Sequence, residues 1–167
     1  MDLDGKNKVV VAKGVRNTVG FDWDPETDDF WFTENGRDYL GDNSPPDELN
    51  HLKKEGDHFG YPFCHGKNIS DPQFNPSGRC GPQFQPATYE LGPHVAALGM
   101  TFYNGKKFPK KYQNQPIFAE HGSWNRRVPI GYRVMMVDKK NPSKDSYQDF
   151  IDGWLQLPEK DTKYAWV

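Results

Sequence analysis

The stretch Gly20-Phe21-Asp22-Trp23, a turn at Pro25-Glu26-Thr27-Asp28-Asp29, then Phe30-Trp31-Phe32-Thr33-Glu34-Asn35-Gly36 decides the fold, because its pattern occurs twice. The echo is Gly99-Met100-Thr101-Phe102, a turn, and Gln115-Pro116-Ile117-Phe118-Ala119-Glu120-His121-Gly122. A Gly-led aromatic strand, an apolar strand and a closing Glu-x-Gly recur in the same order. Around them, Asp2-Leu3-Asp4 leading to Val11-Ala12-Lys13-Gly14 is paralleled by Met136-Val137-Asp138 leading to Phe150-Ile151-Asp152-Gly153. Repeats of about 40 to 50 residues built from about four short strands are the mark of propeller blades. The sequence therefore predicts an all-β chain, a β-propeller segment of about two blades with flanking strands. One blade falls at about 15–60, a loop insertion at about 60–95, a second blade at about 96–153, and the start of a further blade at about 164–167. Closed propellers carry about four to eight blades, so this reads as part of a larger ring whose free edges expose backbone groups and apolar faces.

The strands follow from alternation and β-branched or aromatic runs bounded by turn residues. They are expected at 9–12, 19–23, 30–33, 48–52, 98–103, 116–120, 132–137 and 147–151, with 60–92 reading as one irregular loop. Sixteen Gly and fourteen Pro among 167 residues break helices and leave no room for long ones. No run approaches the roughly 18 consecutive apolar residues of a membrane helix. A net charge of −2 and a pI near 6.2 argue against nucleic acid as a partner. Met1-Asp2-Leu3-Asp4-Gly5 reads as an acidic turn from inside a domain, and Tyr164-Ala165-Trp166-Val167 as an apolar run with nothing polar behind it.

Cys64 and Cys80 are the two cysteines, sixteen positions apart in the irregular stretch. Two buried thiols and a disulfide both fit that spacing; a disulfide would contribute about 3 kcal/mol by restricting the unfolded chain. Asn68-Ile69-Ser70 fits the N-glycosylation acceptor pattern, and with the cysteines leans toward an extracytoplasmic protein.

Propeller loops gather at one face, near the axis. Arg16-Asn17 precedes the first Gly-led strand, Glu34-Asn35-Gly36-Arg37-Asp38 follows its partner, and His121-Gly122-Ser123-Trp124-Asn125-Arg126 occupies the equivalent loop of the second blade. Arg forks onto carboxylates and Trp offers a stacking face, which suits a planar anionic ligand. Ordinary loop salt bridges for Arg16 and Arg126, with Trp124 packed under a turn, are the other reading. Asp38, Asp42, Asp47 and Glu48 form an acidic cluster of the oxygen-rich kind that suits calcium, without EF-hand spacing; a solvated acidic loop is the alternative. His51 and His58 read as surface residues. His65 beside Cys64 lacks the spacing of a zinc site, which leaves His94 and His121 as the histidines to carry forward.

Seven ordered segments resemble the glucose/sorbosone dehydrogenase family, six-bladed propellers that bind pyrroloquinoline quinone (PQQ) and calcium. They are Val15-Arg16-Asn17-Thr18-Val19-Gly20-Phe21, Phe32-Thr33-Glu34-Asn35-Gly36-Arg37-Asp38, Pro46-Asp47-Glu48-Leu49-Asn50, Phe59-Gly60-Tyr61-Pro62, Leu91-Gly92-Pro93-His94, Gly99-Met100-Thr101-Phe102 and Ala119-Glu120-His121-Gly122-Ser123-Trp124-Asn125-Arg126. The pattern is most similar to the sorbosone dehydrogenase branch and the fungal PQQ-dependent pyranose dehydrogenases.

The resemblance implies that Arg16 and Asn17 touch PQQ, that Gly36 and Arg37 offer main-chain carbonyls to calcium, and that His121, Trp124, Asn125 and Arg126 complete the rim. It implies oxidation of a sugar hydroxyl or aldehyde hydrate by hydride transfer to the quinone, an external electron acceptor, and an extracellular or periplasmic protein in which Cys64 and Cys80 are bridged. The family's histidine base belongs to an earlier blade, so the segment alone is expected to be inactive. In the soluble glucose dehydrogenases a Tyr-x-Tyr-Lys-Gly strand end brings a lysine to the cofactor; Phe102-Tyr103-Asn104-Gly105 stands there instead. Two other classes remain as alternatives: a calcium-dependent sugar-lactone hydrolase, which needs no Arg-Asn pair, and a non-catalytic carbohydrate-binding propeller.

Overall fold

The computed structural model describes residues 1–141 and 146–156 and the backbone of 165–166. In chain order its strands are β1 (Ala12–Lys13), β2 (Thr18–Trp23), β3 (Phe30–Glu34), β4 (Pro46–His51), β5 (Asp57–His58), β6 (Cys64–His65), β7 (Ile69–Ser70), β8 (Tyr89–Pro93), β9 (Ala97–Phe102), β10 (Pro116–Glu120), β11 (Arg133–Val137), β12 (Tyr147–Ile151), β13 (Leu155–Gln156) and β14 (Ala165–Trp166). A 3-10 turn spans Lys110–Tyr112. Two four-stranded antiparallel sheets dominate, ordered β2-β3-β4-β8 and β9-β10-β11-β12. They are the two blades: each is a meander whose first strand is the Gly-led one of the repeat. The segment expected to open a further blade, at about 164–167, lies outside the described residues except for β14, which pairs with β13.

β2 and β9 lie side by side, and their glycines explain how. A Cβ on Gly20 would sit 2.3 Å from the Leu98 carbonyl oxygen and 2.7 Å from the Gly99 Cα, so only a residue without a side chain permits this approach. Thr33 seals the seam: its hydroxyl donates to the Leu98 carbonyl at 2.7 Å and accepts the Gly20 N–H at 3.0 Å.

The pleat then sorts the side chains. On β3, Trp31 faces the second blade and meets Phe102 edge to face at 6.0 Å, while Phe30 and Phe32 face the other way among Phe21, Trp23 and Phe59. The core between the blades is Trp31, Leu49, Tyr89, Leu91, Val95, Ala97, Phe102, Phe118, Met135 and Val137. The outer face of β2 is apolar and open: Val19, Phe21 and Trp23 are each about half exposed, at 49%, 54% and 51%. At the far end of the seam Lys139, 7% exposed, pairs with Asp24 and lies 2.9 Å from Glu26, tying the β11–β12 turn to the β2–β3 turn.

Two expectations need correcting. The β-branched run 9–12 contributes only Ala12 to a strand, and Val9, Val10 and Val11 are exposed, since no neighbouring strand pairs with them beyond one hydrogen bond from the Gly56 N–H to the Val11 carbonyl. The stretch 60–92 is not one irregular loop. It holds the β6–β7 hairpin, the Cys64–Cys80 disulfide, and at its end β8, the outermost strand of the first blade. The long excursion sits between the third and fourth strands, which hid the buried-exposed-buried alternation of Tyr89, Glu90 and Leu91.

Candidate functional site

Glu34, at the end of β3, organises the loop before β2. Its carboxylate is 5% exposed and accepts the Arg16 N–H at 2.5 Å, the Asn17 N–H at 2.7 Å and the Thr18 hydroxyl at 2.8 Å. Burial raises its pKa against those hydrogen bonds. With the backbone pinned, the Arg16 guanidinium crosses to the next loop. It donates to the Asn35 carbonyl at 3.3 Å, the Gly36 carbonyl at 2.9 Å and the Asp38 carboxylate at 3.0 Å. Three oxygens of one short turn thus converge on a cation. The Asn35 amide closes the gap to the second blade by donating to the Ala97 carbonyl at 2.8 Å.

Asp47 carries the other half of that link. One oxygen accepts the Gly36 N–H and the other the Ala96 N–H, both at 2.8 Å, with the side chain 2% exposed. Burial pushes its pKa up to about 6. Glu48, facing the insertion, accepts the Gly66 N–H at 2.6 Å and the Asn50 amide at 2.8 Å, and burial pushes it up to about 7.

Arg16, Asn17, Asn35, Gly36, Asp38, Asp47, His94, Ala96 and Trp124 line a polar cavity of about 150 Å³. Ala96 and Trp124 also line a larger cavity of about 880 Å³, with His121, Arg126, Arg127, Glu120, Tyr132 and Trp154 among its walls. Trp124 is 65% exposed and meets Tyr39 edge to face at 5.9 Å. Arg126 donates to the Asp42 carbonyl and to the Asn43 side chain at 3.2 Å; Arg127 pairs with the Asp42 carboxylate at 3.0 Å. The loops after β3 and β10 are therefore cross-linked.

The structure brings Arg16, Asn17, Gly36, His94 and Trp124 to one cavity and His121, Trp124 and Arg126 to its neighbour. Asn125 has a side-chain nitrogen that is buried without a hydrogen-bond partner. Arg37 points elsewhere, into the insertion, where its guanidinium reaches Asp71 at 2.5 Å and Gln73 at 3.0 Å. The acidic cluster does not converge: Asp38 serves Arg16, Asp42 serves Arg127, and Asp47 and Glu48 are buried on main-chain amides rather than solvated. Among the described residues no group of three His, Cys, Asp or Glu side chains is arranged to hold a metal. His51 and His58 are half-buried rather than surface residues, stacked on Trp31 at 4.6 Å and tilted against Phe84 at 5.0 Å. His65 is buried against Asp71 at 3.0 Å, and His94 has its Nε2 2.8 Å from the Gly41 carbonyl.

Sequence reasoning missed Glu34, Asn35 and Asp71 as working residues. The first two stand in the repeated Glu-x-Gly, but the repeat is no guide to their role: its second copy, Glu120, instead accepts from Arg133 at 2.8 Å and from the Tyr147 hydroxyl. Asp71 carried an Asp-Pro turn signal that was available.

Two antiparallel blades packed along their innermost strands, with their loops interlocked at one end, define a propeller segment. Residues 4–152 match the TrAA12-like family, and the chain belongs to that family. It is 44% identical over 158 residues to an uncharacterised protein of Borreliella burgdorferi, a match that covers 93% of this chain and 42% of that protein. Among solved structures it resembles the calcium structure of a Trichoderma reesei carbohydrate-active enzyme of family AA12, with a TM-score of 0.65 and 20% identity over 77% of this chain and 38% of that one. The holo PQQ domain of a pyranose dehydrogenase from Coprinopsis cinerea gives 0.65 and 23% over 87% and 45%. The apo soluble aldose sugar dehydrogenase of Escherichia coli gives 0.56 and 21% over 84% and 35%. The chain thus spans less than half the length of each of these relatives, and it shares the fold of the three solved structures.

Proposed function

We propose that this chain supplies part of the cofactor site of an extracellular or periplasmic, PQQ- and calcium-dependent sugar dehydrogenase. The observation that carries the reading is the convergence of the Asn35 and Gly36 carbonyls and the Asp38 carboxylate on the Arg16 guanidinium. These are hard oxygens of the kind calcium takes, and calcium bound at them takes the place of the Arg16 guanidinium, which is then released toward a PQQ carboxylate. Gly36 packs directly against the start of β4, since a Cβ there would lie 2.7 Å from the Pro46 carbonyl oxygen. For PQQ the cavity offers a cation at Arg16, an amide at Asn17 and the indole face of Trp124, which suit carboxylates, quinone oxygens and a planar ring.

When bound, the quinone with its calcium ion supplies the hydride acceptor for sugar oxidation. The chain's own part is to bind and orient. Glu34 fixes the backbone of Arg16 and Asn17, so both residues start from held main-chain positions. Asp47 holds Gly36 and Ala96 at one spacing, fixing the width of the cavity between the blades. His121, exposed on the larger cavity beside Trp124, is open to a sugar, whereas His94 is engaged with Gly41. A sugar as substrate, an external electron acceptor, the Cys64–Cys80 bridge and location outside the cytoplasm complete the reading.

The test is PQQ titration of a complete propeller containing this chain at saturating calcium, followed by the quinone absorbance. Charge-assisted hydrogen bonds are worth roughly 1.5 to 3 kcal/mol, so Arg16→Ala should weaken binding by about ten- to a hundred-fold. Arg16→Lys should recover only part, because an ammonium cannot make a two-pronged contact. Equal dissociation constants would remove Arg16 from the site, and absence of PQQ binding by a complete propeller containing this chain would favour the lactone-hydrolase or carbohydrate-binding reading.

A further inference from the structure

The larger cavity, of about 880 Å³, has two indoles in its wall, Trp124 at 65% exposure and Trp154 at 39%. Trp154 follows Gly153 at the end of the second blade as Val15 and Arg16 follow Gly14 at the start of the first, and both glycines have a positive φ. The repeat therefore puts Trp154 at the same end of the blades as Arg16. Trp124 lines both cavities, so a ring seated in the larger one lies beside whatever fills the smaller. Arg126, placed on the cofactor rim by the family resemblance, lines the larger cavity and not the smaller.

The charges in that wall are unequal. Among the described residues Glu120 is its one carboxylate, and both oxygens are taken, one by Arg133 at 2.8 Å and the other by the Tyr147 hydroxyl. Arg133 is engaged in turn by Asp149 at 2.9 Å. Arg127 meets the Asp42 carboxylate through Nε at 3.0 Å, with its side chain 90% exposed. Arg126 meets neutral oxygens only: the Val128 carbonyl at 3.0 Å, the Asp42 carbonyl and the Asn43 side chain at 3.2 Å. Its Nη2 has no partner among the described residues. The wall thus offers indole faces for the apolar C–H face of a sugar ring, and guanidinium donors that suit a planar carboxylate. We propose that the larger cavity is a subsite for an acidic sugar, its ring against Trp124 and Trp154 and its carboxylate on Arg126 and Arg127. This rests on the reading of the substrate as a sugar and of the smaller cavity as the cofactor's seat.

The experiment is calorimetric titration of a complete propeller containing this chain, without PQQ and at low salt, with D-glucuronate and D-glucose, which differ only at C6. Glucuronate should bind about tenfold more tightly, the low end for a charge-assisted contact. Arg126→Gln should remove most of that preference and Arg127→Gln should reduce it about two- to threefold. Misfolding would weaken both sugars together, so the ratio separates a lost contact from a lost fold. Trp154→Ala should weaken both sugars about fivefold and leave the ratio in place. Raising the salt to about 0.5 M should shrink the preference, because the arginines are open to solvent. Equal affinities for the two sugars, or a preference that survives both arginine substitutions, would overturn the proposal. Binding of neither sugar by a propeller that does bind PQQ would overturn it while sparing the cofactor reading. A preference for glucuronate in a propeller that fails to bind PQQ would support the subsite and overturn the cofactor reading instead.

Discussion

Gly20 and Gly99, the leading glycines of the two repeats, are pressed against each other across the blade seam, and only one of them needs to be glycine. A Cβ on Gly20 would meet the Leu98 carbonyl at 2.3 Å and the Gly99 Cα and Met100 nitrogen at 2.7 Å, whereas a Cβ on Gly99 would meet nothing within 4 Å. Backbone cannot yield as a side-chain tip can. Gly20→Ala is expected to destabilise by about 1 to 3 kcal/mol, the usual range for overpacking, and Gly99→Ala to stay within about 0.5 kcal/mol. Urea unfolding followed by tryptophan fluorescence measures both; equal midpoints would show that the seam opens freely.

That asymmetry also marks where the sequence was readable. The repeat gave the two blades because strand alternation and turn residues are local signals, and β10 and β12 fall at the expected residues 116–120 and 147–151. It said nothing about which glycine was crowded, because crowding depends on the partner blade. The same limit applied at the site. Arg16, Asn17, Gly36 and Trp124 were legible as loop residues of the right chemistry, and they do share a cavity. The separate fates of Asp38, Asp42, Asp47 and Glu48 were not legible, because spacing within a loop does not say which amide each carboxylate will meet.

Lys139 and Asp24 make the second seam contact, and both are buried, at 7% and 4% side-chain exposure. Asp24 accepts the Glu26 N–H at 2.9 Å as well, so it stays in place if the lysine is lost. Lys139→Met would leave that carboxylate buried without its cation, at a cost of about 3 to 5 kcal/mol. Lys140→Ala removes an exposed pair with Glu26, 3.1 Å long, and should change stability by less than about 1 kcal/mol. Thermal unfolding of the two variants side by side tests the contrast; similar losses would contradict the assignment of the seam to Lys139.

Gly36→Ala probes the turn that holds the candidate calcium donors. The added carbon would lie 2.7 Å from the Pro46 carbonyl and 3.1 Å from the Pro45 ring, so the turn must move away from β4. Calcium affinity should fall at least tenfold, with PQQ affinity following it, while the second blade keeps its structure. Paired calcium titrations of the variant and the unmodified chain read this directly, and matching isotherms would mean that Gly36 does not face the ion.

The buried carboxylates predict how stability depends on pH. Asp47 is raised from 3.8 to about 6 and Glu48 from 4.5 to about 7, in both cases chiefly by burial. A raised folded-state pKa means the folded chain holds the proton more tightly than the unfolded one. The resulting stabilisation is full below about pH 4 and is lost as pH rises through 6 and 7. Asp71 runs the other way: although burial opposes it, hydrogen bonds from His65 and Arg37 hold it well below the usual carboxylate range. Its contribution is present above about pH 4 and is lost at lower pH. The chain should therefore be most stable between about pH 4 and 6 and less stable at pH 8. Glu48→Gln isolates the largest part of the alkaline slope. Asn50 has a buried side-chain oxygen with no partner, so a glutamine amide can donate to it where the carboxylate could only accept. At pH 8 the variant should be more stable than the unmodified chain, and at pH 5, where Glu48 is already protonated, the two should nearly coincide. Urea midpoints at these two pH values decide the matter: a difference that is the same at both would show that Glu48 does not titrate in this range.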